Sequence, residues 1–396
     1  MGTSDIYRDK LEQASALLKQ QDIDLWLLFV RETGTLNDPS LPLICDLSFT
    51  WETAVMISAT GRHTVLAGLH DCDNVRATGL FSEVVPYTDS MTAAFRELLA
   101  AYDPRRIALN YSPSDPSADG LTHGMWLLLG QMLAGTPYAG RLESSETFLG
   151  RFRATKTPSE LARMRAALRA AEEIWATTAA FLKPGQSEVE VAAFMHGELD
   201  RLRLWTSWER DFCPIVHAGS DSTTGHARPG ERRITPGRLV NIDFGVLKDG
   251  YCTDQQRMWY CRTLGEKTVP AEVTRAFDTV VGAIQAAATV LRSGIRGYEV
   301  DAIARRFVTD AGYPEYQHAL GHTVGRTTHD GGPLLGPRWD RYGTTPEGVI
   351  EAGQLYTLEL GVDTPQGYCG LEEEVLVTDH GCEFLSAPQM ELMFIE

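Results

Sequence analysis

Arg238-Leu-Val-Asn-Ile-Asp243-Phe-Gly-Val-Leu-Lys-Asp249-Gly250-Tyr-Cys-Thr-Asp254-Gln-Gln-Arg-Met-Trp-Tyr260 sets two apolar runs on either side of an Asp-Gly dipeptide. Asp-Gly between such runs is a strong hairpin signal. Asp243 and Asp254 are equidistant from a centre between Lys248 and Asp249. A symmetric register predicts them as a cross-strand pair on one face, with Cβ atoms roughly 4.5–5.5 Å apart. A second stretch repeats the arrangement: Leu355-Tyr-Thr-Leu-Glu359-Leu-Gly-Val-Asp-Thr-Pro365-Gln366-Gly-Tyr-Cys-Gly370-Leu-Glu372-Glu-Glu-Val-Leu-Val-Thr378. Here Glu359 and Glu372 are equidistant from the Pro365-Gln366 bond, inside a Pro/Gly turn. A one-residue bulge breaks either pairing.

Like charges opposed across a sheet repel. Two such pairs aimed at one place call for counter-charge, which divalent cations supply. Two cations about 3.5–4 Å apart can share bridging carboxylates and a bridging hydroxide. Any one of these residues alone reads most simply as an exposed strand carboxylate. Two symmetric pairs beside a histidine-rich segment outweigh that reading. The segment is His318-Ala-Leu-Gly-His322-Thr-Val-Gly-Arg-Thr-Thr-His329-Asp-Gly-Gly-Pro333. His318 and His322 have helical spacing, but the interior Glu of a zinc-protease helix is missing. Gly321 and Gly325 also disfavour a regular helix, so one of the two histidines is expected as a ligand, not both. Upstream, Thr-Thr-Gly-His226-Ala-Arg-Pro-Gly lies in a loop before the first hairpin. Beside a metal centre, His226 becomes a candidate proton shuttle or oxyanion donor.

On these residues the whole chain resembles the metallopeptidase family with the pita-bread fold, which includes methionine aminopeptidases, Xaa-Pro aminopeptidases and prolidases. The resemblance is carried by Ile242-Asp243-Phe-Gly-Val with Gly250-Tyr-Cys-Thr-Asp254, Gly321-His322-Thr-Val-Gly with His329-Asp330, Thr357-Leu-Glu359, and Glu372 to Thr378. It implies that Asp243 binds one metal, that His322 and Glu359 bind the other, and that Asp254 and Glu372 bridge. It matches His226 and His329 to histidines that contact substrate and the tetrahedral intermediate. In this reading a metal-activated bridging hydroxide attacks the scissile carbonyl and Glu359 is the general base. The oxygen-dominated ligand set favours Mn²⁺, with Co²⁺ or Zn²⁺ as alternatives. One position departs from the pattern. Prolidase-like members often carry Arg two residues before the last Glu ligand, and here that position is Gly370. Arg326, Arg338 and Arg341 are the nearby candidates for a substitute, and Gly331 to Tyr342 is a candidate specificity loop.

The sequence also carries an internal repeat. Leu182-Lys-Pro-Gly185-Gln-Ser-Glu-Val-Glu190 aligns with Leu291-Arg-Ser-Gly294-Ile-Arg-Gly-Tyr-Glu299, each between helical patterns. This predicts a duplicated half packed by pseudo-two-fold symmetry, with the site between the halves. Thr157-Pro-Ser-Glu160 and Ser187-Glu-Val-Glu190 read as capping boxes and place helix starts near residues 158 and 188. At 396 residues the chain is long for one core. The expected fold class is α/β (α+β): a small N-terminal creatinase-like α/β domain over 1–152 and a catalytic pita-bread domain over 153–396. Prolidases and Xaa-Pro aminopeptidases have such an N-terminal domain, whereas simple methionine aminopeptidases lack it. Creatinase has it without metal, and the filled ligand positions argue against creatinase.

The net charge of −17 disfavours nucleic acid as a partner, because no basic stripe is available for phosphates. No apolar run approaches a membrane span and no leader-like segment precedes a cleavage site. The seven cysteines include no CxxC pair, which fits reduced thiols and a cytoplasmic location. The expected activity is two-metal hydrolysis of Xaa-Pro dipeptides by a homodimer. The alternatives are an Xaa-Pro aminopeptidase acting on longer peptides, and a non-peptidase hydrolase or binding protein of the same fold.

Overall fold

The computed structural model describes residues 3–33, 38–219 and 227–396. They divide into two compact units, Met1–Arg153 and Ala154–Glu396. In the first unit, strands β1 (Leu25–Val30), β2 (Thr53–Ser58), β3 (His63–Gly68), β4 (Glu83–Tyr87), β5 (Ile107–Leu109) and β6 (Leu142–Ser144) form one sheet in the order β4-β3-β2-β1-β5-β6. Every residue of β1 is buried, as expected of a strand covered on both faces. Trp26 and Leu28 pack one way, with Leu11, Ala14 and Leu18 of the helix Thr3–Gln20. Leu27 and Phe29 pack the other way, with Phe95 and Leu129.

The second unit is built twice. A long helix, Pro158–Phe181, is followed by a shorter one, Glu188–Leu202. Ala271–Val290 and Gly297–Asp310 repeat that order. The linkers match in detail. Gly185 and Gly294 both take a positive φ, +90° and +89°, which glycine adopts at little cost. At the next helix start, Ser187 N donates to Glu190 Oε2 at 2.7 Å, and Arg296 N donates to Glu299 Oε2 at 2.9 Å. The first long helix carries a complete capping box. Thr157 Oγ1 accepts from Glu160 N at 3.2 Å while Glu160 Oε2 accepts from Thr157 N at 2.8 Å. Thr157→Ala should therefore cost about 1 kcal/mol. Urea unfolding checks this, and an unmoved midpoint would count against the cap.

The strands of this unit are β7 (Trp205–Thr206), β8 (Ile215–Ala218), β9 (Arg238–Phe244), β10 (Val246–Lys248), β11 (Tyr251–Cys252), β12 (Gln255–Cys261), β13 (Leu355–Thr364), β14 (Gly367–Val377), β15 (Cys382–Phe384) and β16 (Met393–Ile395). The main sheet runs β13-β14-β12-β9-β8, with β15 on β14 and β16 on β12. The helices of one half pack on Val240, Ile242 and Phe244 of β9. Those of the other half pack on Leu358, Leu360, Leu371 and Val375 of the β13–β14 hairpin. Side chains alternate along a strand. Asp243, Glu359 and Glu372, one residue away from these apolar positions, therefore face away from the helices.

Candidate metal centre

The second hairpin closes symmetrically, with Glu359 opposite Glu372 and Thr364 opposite Gly367. The first does not. Asp243 lies opposite Gln256 rather than Asp254, and Lys248 opposite Tyr251. The cause is the turn. Asp249 and Gly250 both have positive φ, 50° and 77°, as the two central residues of a type I′ turn require. That moves the hairpin's centre to the Asp249-Gly250 bond. A two-residue shift keeps side chains on the same face, because the strand period is two. Asp254 therefore stays on the face of Asp243 as a diagonal neighbour, and their carboxyl groups are in hydrogen-bond reach of each other.

Strand β12 also pairs with β14, through Gln256 opposite Glu372. Four strands thus carry one transverse row: Asp243, Gln256, Glu372 and Glu359. Gln256 Nε2 donates to Glu372 Oε2 at 3.3 Å and to Glu359 Oε2 at 3.4 Å. Its Oε1 accepts from Asn241 Nδ2 at 3.4 Å, and the same Asn241 amide donates to Gly370 O at 2.9 Å. Gln256 is not among the residues expected at the site. Its amide is an orienting group between carboxylates.

His322 reaches the row from its own segment, bound to β13 by mutual bonds. Its N–H donates to Thr357 Oγ1 at 3.1 Å and its carbonyl accepts from Thr357 N at 2.8 Å. Nδ1 lies 3.2 Å from Thr323 O. That contact holds the proton on Nδ1 and turns the Nε2 lone pair to the carboxylates. Nε2 stands 3.6 Å from Asp254 Oδ2, 3.6 Å from Glu359 Oε1 and 3.8 Å from Glu372 Oε1. Such distances exceed hydrogen bonds. They suit donors gathered about a cation with ligand bonds of roughly 2.0–2.2 Å. Asp254, His322 and Glu372 each offer a ligand atom within 4.8 Å of the others.

The electrostatics point the same way. Burial, the largest cause, pushes the Asp243 carboxyl up to about 7. Burial and the nearby Asp243 push Glu359 up to about 8. Asp254 and Glu372 rise well above the ordinary carboxylate range, through burial and then through nearby charges: Asp243, Glu359 and Glu374 act on Asp254, and Asp254, Glu359 and Asp243 act on Glu372. Asp243 Oδ1 and Glu372 Oε1 are buried and accept no hydrogen bond. Buried acceptors left without a donor are costly, and a divalent cation supplies what they lack. The donor set fits metal.

The three consecutive glutamates separate by alternation. Glu373 points the other way and forms two bonds to the Arg257 guanidinium, at 3.0 and 3.1 Å. Glu374 Oε1 accepts from the Asp254 backbone N–H at 2.8 Å. His318 packs against Tyr316, with ring centroids 5.5 Å apart. The exposed His329 ring stands edge-on to His322, 4.4 Å between centroids. Next to it, Asp330 is anchored by a buried ion pair with Lys156 at 2.9 Å. His226 lies outside the described residues. Arg326 stacks over Tyr251, Arg338 over Tyr298 beside Glu347, and Arg341 over Trp339.

A cluster of acidic residues and one imidazole on a duplicated, helix-backed sheet defines a metallohydrolase of the pita-bread fold. The model of metallopeptidase family M24 matches residues 162–379, and the chain belongs to that family. An uncharacterised peptidase of Staphylococcus saprophyticus is 28% identical over 385 residues, covering 95% of this chain and 99% of the relative. The solved Xaa-Pro dipeptidase from Bacillus anthracis superposes with a TM-score of 0.75 at 21% identity, covering 98% of this chain and 100% of that one. The X-Pro aminopeptidase from Thermotoga maritima superposes with a TM-score of 0.71 at 19% identity, covering 97% and 99%. Among the described residues, no helix is long and apolar enough to cross a membrane.

Proposed function

We propose that this metallopeptidase hydrolyses Xaa-Pro dipeptides with two divalent cations, Mn²⁺ favoured, and works as a homodimer in the cytoplasm. The observation that carries the reading is the transverse row Asp243–Gln256–Glu372–Glu359, joined by Asp254 and His322. Asp243 with Asp254, and His322 with Glu359, would hold one cation each, and Asp254 and Glu372 would be shared. Cations bound there supply Lewis-acid polarisation of the carbonyl and lower the pKa of water.

The protein's own groups supply the rest. Glu359 accepts the proton of the attacking water at a carboxylate oxygen and passes it to the leaving nitrogen. His329, at the open edge of the centre, donates its ring N–H to the oxyanion. Proline's nitrogen carries no N–H in an Xaa-Pro bond, and this sequence of steps asks for none. His329→Ala is expected to keep its metal and lose about a hundredfold in kcat. Metal loss in that variant would instead make His329 a ligand.

The test is turnover by Mn²⁺-loaded protein of Ala-Pro against Ala-Pro-Ala. Faster cleavage of Ala-Pro is expected. Preference for the tripeptide would replace this reading with an Xaa-Pro aminopeptidase, and no cleavage of either would favour a non-peptidase role. Light scattering at micromolar concentration checks the dimer.

A further inference from the structure

Beside the metal centre lie two buried charges that the hydrolytic steps above leave unused. Lys156 Nζ and Asp330 Oδ2 are 2.9 Å apart, and their side chains are 1% and 2% exposed. Lys and Asp are almost never buried this deeply unless paired. Apolar residues of similar volume in such places often leave a fold equally stable or more so, because desolvation offsets the attraction. Stability alone therefore does not account for the pair, and its surroundings point to another role.

Lys156 stands just ahead of the capped helix Pro158–Phe181, with its own N–H on Gly353 O at 2.8 Å. Asp330 ends the segment that carries both imidazoles, His322 and His329. That segment closes around the carboxylate. Thr327 Oγ1 donates to His329 O at 2.8 Å and to Asp330 Oδ1 at 3.2 Å, one proton shared by two acceptors. The Asp330 N–H donates to Thr323 O at 2.9 Å. The same carbonyl lies 3.2 Å from His322 Nδ1. Both lone pairs of Thr323 O are thus engaged, one by the clamped residue and one by the ligand imidazole. Gly325 makes room for the pair. A Cβ there would stand 2.2 Å from Asp330 Oδ2 and 2.6 Å from Lys156 Nζ.

We propose that Lys156 and Asp330 form a positioning pair, whose buried bond sets the placement of His322 on the metal and of His329 on the oxyanion. The proposal rests on the ligand and oxyanion roles given above to those two histidines. One end of the pair is fixed at a helix start and the other at the end of the imidazole segment, so loss of the bond loosens that end. Slack at Asp330 passes to Thr323 O, and from there to the His322 ring, whose tautomer and orientation that carbonyl fixes. It reaches His329 through the adjoining peptide bond and through Thr327. Displacements of about 1 Å at reacting groups cost on the order of a hundredfold in rate.

The informative variant is Lys156→Met/Asp330→Asn. It removes both charges, so the net charge beside the acidic row is unchanged, and it leaves neither partner buried alone. Circular dichroism and thermal melting establish that it is folded. At saturating metal its kcat on Ala-Pro should fall about tenfold while KM stays unmoved. The visible absorption of the Co²⁺-loaded protein follows ligand geometry, and should shift from that of the wild type without any turnover. A pair that serves only stability would move the melting temperature and leave both readouts alone. A wild-type kcat or a wild-type Co²⁺ spectrum in the folded double variant overturns the proposal. Should that variant not fold, Thr327→Val decides. Thr327 is exposed, so this change is mild, and the loss of one hydrogen bond should lower kcat about fivefold. An unchanged kcat there overturns the proposal. A wild type that cleaves no Xaa-Pro peptide sinks the substrate reading instead, and the Co²⁺ spectrum then decides the role of the pair.

Discussion

Glu372→Ala is expected to lose metal and activity together. Glu372 sits in the middle of the acidic row, 1% exposed, between Gln256 and Glu359. Its Oε2 is held by the Gln256 amide, while its Oε1 is orphaned and faces His322 at 3.8 Å. Among the described residues, no other faces Asp254, Glu359 and His322 from the centre of the sheet in this way. Metal assistance is worth several kcal/mol of transition-state stabilisation, so kcat/KM should fall by about a thousandfold or more. Elemental analysis of the dialysed protein should find fewer than two metal ions per chain. A second measurement separates this from simple damage. Near- and far-ultraviolet circular dichroism of the stripped variant should match that of equally stripped wild type, whereas a merely misfolded variant would lose the near-ultraviolet signal. If Glu372→Ala kept both metals and Glu374→Ala lost them, the role would pass to Glu374.

The distance between sequence and structure at this site is physical. The second hairpin is legible because Pro365 and Gly367 bracket a turn whose centre coincides with the symmetry of the two glutamates. For the first, equal spacing of the aspartates points two residues away from the true register. Asp-Gly demands the two central positions, and the positive φ values of Asp249 and Gly250 show that it takes them. The face assignment survives because two residues is one full period of a strand. Gln256 escapes a sequence reading for a different reason. Its place in the row depends on β12 pairing with β14, strands more than a hundred residues apart, and an amide carries no metal-ligand signal. The choice between His318 and His322 rests on the bonds that tie His322 to Thr357, which spacing alone does not contain. The edge strands Glu83–Tyr87 and Leu142–Ser144 also escape it, since each is short and only half-buried. Gly370 stands out in the sequence as a gap, but only the register shows that Gly361 faces it and that Tyr368 fills the space.

Removing the metal is expected to reverse the pH dependence of stability. In the metal-free fold, burial raises Asp243 to about 7 and Glu359 and Glu374 to about 8. In the unfolded chain, Asp and Glu titrate near 4. Between those values the folded state holds more protons than the unfolded state, so stability falls as pH rises. The contribution is fully present below about pH 4 and is lost as pH climbs through 7 to 8. A tenfold difference in proton affinity between folded and unfolded chain is worth about 1.4 kcal/mol per group. These groups interact, so the total is on the order of several kcal/mol, or roughly 10 °C in Tm. With metal bound the sign changes. The carboxylates are held ionised, protons compete with the cations, and the stabilisation from binding grows with pH. The window from pH 5.5 to 8.5 avoids ordinary carboxylates. His63 and His217, whose pKa values burial lowers, act in the opposite direction to the acidic row. Chelator-treated protein should therefore melt lower at pH 8.5 than at 5.5, and Mn²⁺-loaded protein higher. Asp243→Asn should flatten the chelated profile while the histidine contribution remains. If the chelated wild type instead gained stability across this window, the row would be carrying its charges without a cation, and the case for metal at Asp243 and Glu359 would fall.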